Sequence, residues 1–145
     1  MAATRRGPLR GWTWPQLTTL ALGAFFTAVG VVGFAVSGTH DFFGTAHFSL
    51  LGFSLNPFHD VVHLFLGVTG LALARTLSSA RAYGWLLATL YGAVFVYGLF
   101  AAGREWDLLG LNWGDNIAHL VLALIGAGLA AGPVSTPARD HPARV

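Results

Sequence analysis

Four apolar stretches, at about residues 15–36, 57–74, 83–103 and 115–132, constrain this chain more than any other feature. Each has about 18–22 residues, the length a helix needs to cross roughly 30 Å of hydrocarbon. None carries an arginine in its middle. Only 10% of all residues are charged, against about 25% in a soluble domain. That is too little charge to face water around four such helices, and the mean hydropathy is +0.63. The expected architecture is all-α, a four-transmembrane-helix bundle over residues 15–132. Residues 1–14 are expected to be a short N-terminal segment and 133–145 a disordered tail, since "GPVSTPARDHPARV" is rich in Pro and Arg without periodicity.

Arginine placement orients the bundle, because loops on the cytoplasmic side are enriched in basic residues. Arg5, Arg6 and Arg10 precede the first span, Arg75 and Arg81 lie between the second and third, and Arg139 and Arg144 follow the fourth. Only Arg104 lies on the other side, beside Glu105, Asp107 and Asp115. Both termini are expected in the cytoplasm, with 37–56 and 104–114 facing outward. Trp12, Trp14 and Trp85 then fall at inner ends and Trp106 and Trp113 at outer ends, as in an aromatic belt. The absence of lysine and the abundance of Ala and Gly suggest a GC-rich bacterial genome, and so a bacterial plasma membrane.

With no cysteine, the chain has no disulfide, thiolate metal site or Cys nucleophile. No phosphate-binding Gly loop, Ser-His-Asp order or nucleic-acid patch is present. The chemistry concentrates instead in "LNPFHDVVHL", residues 55–64, at the entrance of the second span.

That pattern recurs. "NPFHDVVHLFLGVTGLALA" (56–74) lies over "NWGDNIAHLVLALIGAGLA" (112–130), pairing Asn56 with Asn112, His59 with Asp115, Asp60 with Asn116, His63 with His119 and Gly70 with Gly126. Both halves begin and end on the same side, which predicts two parallel-repeated helical hairpins. The N-P-x-H-[DN]-x-x-H-L and D-N-x-x-H-L motifs, with "YGAVFVYGLF" between them, resemble a group of small four-helix bacterial membrane proteins catalogued as a domain of unknown function. The resemblance spans roughly 15–132. It implies the fold and topology and no activity. Where members often have Asn, this chain has Asp60.

Positions 56, 59, 60, 63, 67, 70 and 74 share one helix face, as do 112, 115, 116, 119, 123, 126 and 130. Each stripe is polar at its outer end and Gly or Ala at its inner end, and the two stripes are expected to face each other across the bundle. Asn56 before Pro57 reads as an N-cap. Asn112 with Asp115 reads as a capping box. Asp60 suits the positive end of a helix dipole. These residues, with Asn116, form an expected structural polar cluster.

His63 and His119 lie seven residues past their caps, about 10 Å along the axis. One reading makes them interhelical glue, an imidazole bonding Asn116 or Asp60 of the other half. A second makes His59, His63 and His119, with Asp115, a metal site of the kind that suits zinc. A third holds a b-type haem between His63 and His119, against which stand the bulky Leu64, Leu66 and Leu120. Proton passage lacks ionisable groups in the inner halves of the spans. The loop 37–56, with His40, Asp41 and His47, is expected to fold over the cluster as a lid or to lie in the interface. Small-residue pairs such as Gly128/Gly132 suggest a homo-oligomer, and the outer loop suggests a membrane partner protein; no nucleic acid is expected.

The reading that follows is non-enzymatic: a membrane protein whose outer polar cluster packs the bundle and binds a ligand or partner. No cofactor is fixed by the sequence, and a divalent metal stands ahead of haem among the candidates.

Overall fold

The computed structural model describes residues 11–40, 42–43, 48–50 and 52–134. Arg5, Arg6, Arg10, Asp41, His47, Arg139, His141 and Arg144 lie outside these. Four helices run α1 Trp14–Ser37, α2 Pro57–Leu73, α3 Leu77–Ala101 and α4 Trp113–Ala131. α1, α3 and α4 are long and apolar enough to cross a membrane, while α2 is apolar but has 17 residues. At 1.5 Å per residue α2 is about 25 Å long, at the lower limit for a span.

The helices pair as hairpins. α1 packs along α2 and α3 along α4, and the two hairpins touch each other much less. One end of the bundle gathers both described chain ends. Trp14 Nε1 donates to the Pro133 carbonyl, Arg81 to the Gly132 carbonyl, and Gln16 Nε2 to the Arg75 carbonyl. Phe26, Leu66, Tyr83, Leu87, Tyr91 and Leu129 form the buried core.

Two departures from the sequence reading matter. α3 begins at Leu77, not 83, because Thr76 caps it: Thr76 Oγ1 accepts from Ser79 N. Within the outer loop, β1 Phe48–Leu50 and β2 Phe53–Leu55 form an antiparallel two-stranded hairpin, with Ser49 opposite Ser54. Gly52 takes the turn at φ 88°, a left-handed conformation that glycine adopts without strain.

The small-residue stripes do not face each other. Each packs on the first helix of its own hairpin. A Cβ on Gly70 would meet Gly23 of α1, and one on Gly126 would meet Ala88 and Gly84 of α3. Short side chains let the two backbones of a hairpin approach closely, and that approach consumes the stripes. Gly128 is open, and Gly132 lies under the Trp14 ring.

Candidate functional site

The asparagines start helices. Asn56 Oδ1 accepts from His59 N at 2.8 Å, with Pro57 as the first helical residue. Asn112 Oδ1 accepts from Asp115 N at 3.0 Å, and Asp115 Oδ2 accepts from Asn112 N at 2.8 Å. These reciprocal bonds satisfy amide groups that a helix start leaves over. The caps also reach outward. Asn112 Nδ2 donates to the Gly52 carbonyl and to Ser54 Oγ, and Asp115 Oδ2 accepts from Ser54 N. The β-hairpin is thereby tied over the start of α4, as expected of a loop folded back on the cluster. His40 stands apart and exposed.

Asp60 and Asn116 sit one position further in. Both are fully buried. Asp60 Oδ2 accepts from Ser37 Oγ at 2.7 Å. Its other oxygen packs where a Cβ on Gly33 would be. Asn116 packs against Gly98 in the same way. The glycines give these polar groups their room. Neither residue bonds an imidazole, so the cross-half glue expected of the histidines is not formed. Asp60 turns to its own hairpin, and the Asn116 amide has no partner among the described residues.

The histidines do come together. His59 and His63 are one turn apart on α2, with ring centroids 4.5 Å apart. His119 on α4 reaches within 5.8 Å of His59. The Nδ1 atoms of all three are buried without a partner among the described residues. Native structures rarely leave such groups unpaired, since each costs about 1–3 kcal/mol. Aromatic rings fix the imidazole planes. Phe26 stacks on His63 at 5.6 Å and 8°, Tyr91 stacks on His119 at 5.3 Å and 22°, and Phe26 and Tyr91 meet at 5.8 Å.

A partly open cavity of about 200 Å³ adjoins this cluster. His59, His63, His119 and Asp115 line it, with Phe53 and Ser54 of β2 at one side. Phe25, Phe26 and Val29 of α1 and Ala118 and Leu122 of α4 complete the wall. Sequence reasoning found the three histidines and Asp115 but not Phe25, Phe26, Phe53, Tyr91 or Leu122. A signal for two of them exists. Phe26 and Tyr91 lie 65 residues apart, as do Gly33 and Gly98, so they occupy matching places on α1 and α3.

A family model described as "Domain of unknown function (DUF4383)" matches residues 16–132, nearly the whole helical region. The chain belongs to this family. No curated protein and no solved structure matches it. Membership in DUF4383 agrees with the resemblance read from the motifs and assigns no chemistry to the cluster, so the chemistry rests on the geometry.

Proposed function

We propose that this DUF4383 chain is a multi-pass protein of a bacterial plasma membrane, non-enzymatic, with both termini cytoplasmic and a small-ligand pocket near its outer face. Asn56, Asp60, Asn112, Asn116 and Asp115 pack and cap the bundle. His59, His63 and His119 serve the ligand. The observation that carries this reading is the convergence of three imidazoles, each with an unpartnered buried Nδ1, on one cavity wall. The imidazoles differ from the other unpartnered buried groups, among them Thr19, Tyr91 and Asn116, in that their residues line the cavity. An ionisable group at membrane depth is expensive and kept for use.

Three long apolar helices support the membrane assignment. Arg75 and Arg81 lie at the same end as both described chain ends, and Arg104 at the other, which supports the orientation. The matched stacks Phe26/His63 and Tyr91/His119 support an internal duplication of the helical hairpin.

A second reading places a divalent metal on His59, His63 and His119, with Asp115 beside it. Imidazoles sharing zinc at about 2.0–2.1 Å have ring centres roughly 4.5–6 Å apart, and the spacings His59–His63 and His59–His119 are 4.5 and 5.8 Å. Among the described residues no three His, Asp or Glu side chains stand ready around one ion, so this reading requires the rings to turn. A cavity of about 200 Å³, small beside the ~300–1,000 Å³ of pockets for drug-sized ligands, favours a small ligand over haem.

Native mass spectrometry of gently extracted protein, with elemental analysis of the same sample, tests both readings against His63→Ala/His119→Ala. An organic mass bound to wild type and lost from the variant supports the first. Near-stoichiometric metal lost from the variant supports the second. Wild type that carries neither, while the variant loses stability, leaves the histidines as packing and overturns both.

A further inference from the structure

The two capping asparagines do more than start helices. An asparagine carries an acceptor on one arm and a donor on the other. A serine caps about as well and lacks the second arm. Each asparagine here uses both arms. Asn56 Oδ1 accepts from His59 N, and Asn56 Nδ2 donates to the Leu108 carbonyl at 3.3 Å. Asn112 Oδ1 accepts from Asp115 N, and Asn112 Nδ2 donates to the Gly52 carbonyl at 3.0 Å and to Ser54 Oγ at 2.9 Å. The oxygen caps the asparagine's own helix, and the nitrogen crosses to the other half of the molecule. The crossing is reciprocal. Asn112 follows Asn56 by 56 residues, and Leu108 follows Gly52 by the same 56. The two acceptor carbonyls are repeat mates, as the two caps are.

These bonds lie at one end of the seam between the hairpins. Helices pack closely within each hairpin and touch sparsely between them. At the far end the seam is filled. Leu66, Tyr83, Leu87 and Leu129 pack there, the Tyr83 hydroxyl donates to the Leu66 carbonyl, and Trp14 Nε1 donates to the Pro133 carbonyl. Next to the caps it is not filled. Residues of both halves line the cavity there, and the three imidazole Nδ1 atoms bond nothing among the described residues. Phe53 and Ser54, which adjoin the crossing bonds, form part of the cavity wall. One end of the seam is held by packing and the other by a few polar bonds.

We propose that Asn56 and Asn112 form a reciprocal strap, whose release lets the two hairpins part at the capped end while the packed end serves as the hinge. The parting removes the Phe53 and Ser54 wall and uncovers the histidines. In proteins built from membrane repeats, one repeat rocks against the other as a body. The movement rests on the strap; its use, to admit a ligand, rests on the reading of the cluster as a pocket.

The test removes the crossing arms and keeps the caps. In Asn56→Ser/Asn112→Ser each hydroxyl still caps its helix, and three bonds between the halves are lost. A typical hydrogen bond is worth a factor of roughly 2–13 in an equilibrium, so three shift the parting at least about tenfold. The chain has no cysteine, which allows single reporters in the full chain in phospholipid nanodiscs. One is Ala118→Cys on the cavity wall, the other Ala130→Cys, buried near the end of α4. The measurement is the rate of modification by a water-soluble methanethiosulfonate, with the asparagines present and replaced. The expected result is a rate at least tenfold higher at position 118 and unchanged within twofold at position 130. An unchanged rate at 118, or one already as fast as that of an exposed thiol with both asparagines present, overturns the strap. Equal acceleration at both positions also overturns it, because the bonds then support the whole fold; a variant that fails to fold gives that result. No ligand enters these rates, so failure of the strap and failure of the pocket reading are told apart.

Discussion

Tyr91 stacks on His119 with ring planes 22° apart, in the place that Phe26 takes over His63, where the planes are 8° apart. The two pairs differ by one atom of consequence. The Tyr91 hydroxyl is buried without a partner among the described residues. If the ring is there to hold the imidazole, the oxygen is dispensable. Tyr91→Phe should leave stability unchanged or raise it by up to about 1 kcal/mol, read as the unfolding midpoint in detergent. A loss of that size would mean that the hydroxyl has a bonding role.

Gly33→Ala and Gly98→Ala should each destabilise by about 1–3 kcal/mol, the usual cost of overpacking. Their new methyl groups would meet Asp60 and Asn116. Gly92→Ala and Gly128→Ala are the controls, since both positions are open. They should be neutral or stabilising by up to about 1 kcal/mol through helix propensity. Equal effects at all four sites would remove the special part given to the two buried polar residues.

Asn112→Ala removes a cap and two bonds to the β-hairpin. The loss should be about 1–2 kcal/mol. Hydrogen exchange should quicken at residues 113–116 and also at 52–54. Acceleration confined to the helix start would show that the hairpin is held by other contacts.

Orientation is open to cysteine labelling, since the chain has no cysteine of its own. With an impermeant maleimide on intact cells, Leu108→Cys should react. Thr76→Cys should react only after permeabilisation. The reverse pattern would turn the molecule over and place the histidines on the cytoplasmic side.

The sequence showed the parts of this fold that obey a local rule. Helix length and hydropathy gave the four helices. Asn56-Pro57 and the Asn112/Asp115 pair gave two starts, because a cap needs only residues within one turn. Thr76-x-x-Ser79 states a cap as clearly, and the polar residues around it disguised the first turn of α3 as loop. The facing of the stripes was misread because periodicity tells which residues share a face and not what that face meets. Gly70 meets Gly23 and Gly126 meets Gly84 through backbone approaches that no single helix reveals. The hairpin at Phe48–Leu55 has only three residues in each strand, too few for alternation to stand out. The histidines are legible as a group, while their aromatic supports, Phe26 and Tyr91, sit on other helices, where no local spacing ties them to the imidazoles.

The central claim is that His63 and His119 are kept for a ligand and not for packing. Its most direct test is the double variant His63→Leu/His119→Leu, similar in volume and without polar atoms. Unfolding midpoint and ligand occupancy are measured on the same preparations stripped of ligand and then reloaded with membrane lipid extract. The account predicts a ligand-free midpoint equal to or above that of wild type, since two unpaired buried groups are gone, together with at least a tenfold loss of bound ligand. A lower midpoint with occupancy unchanged would contradict it and make the histidines part of the packing.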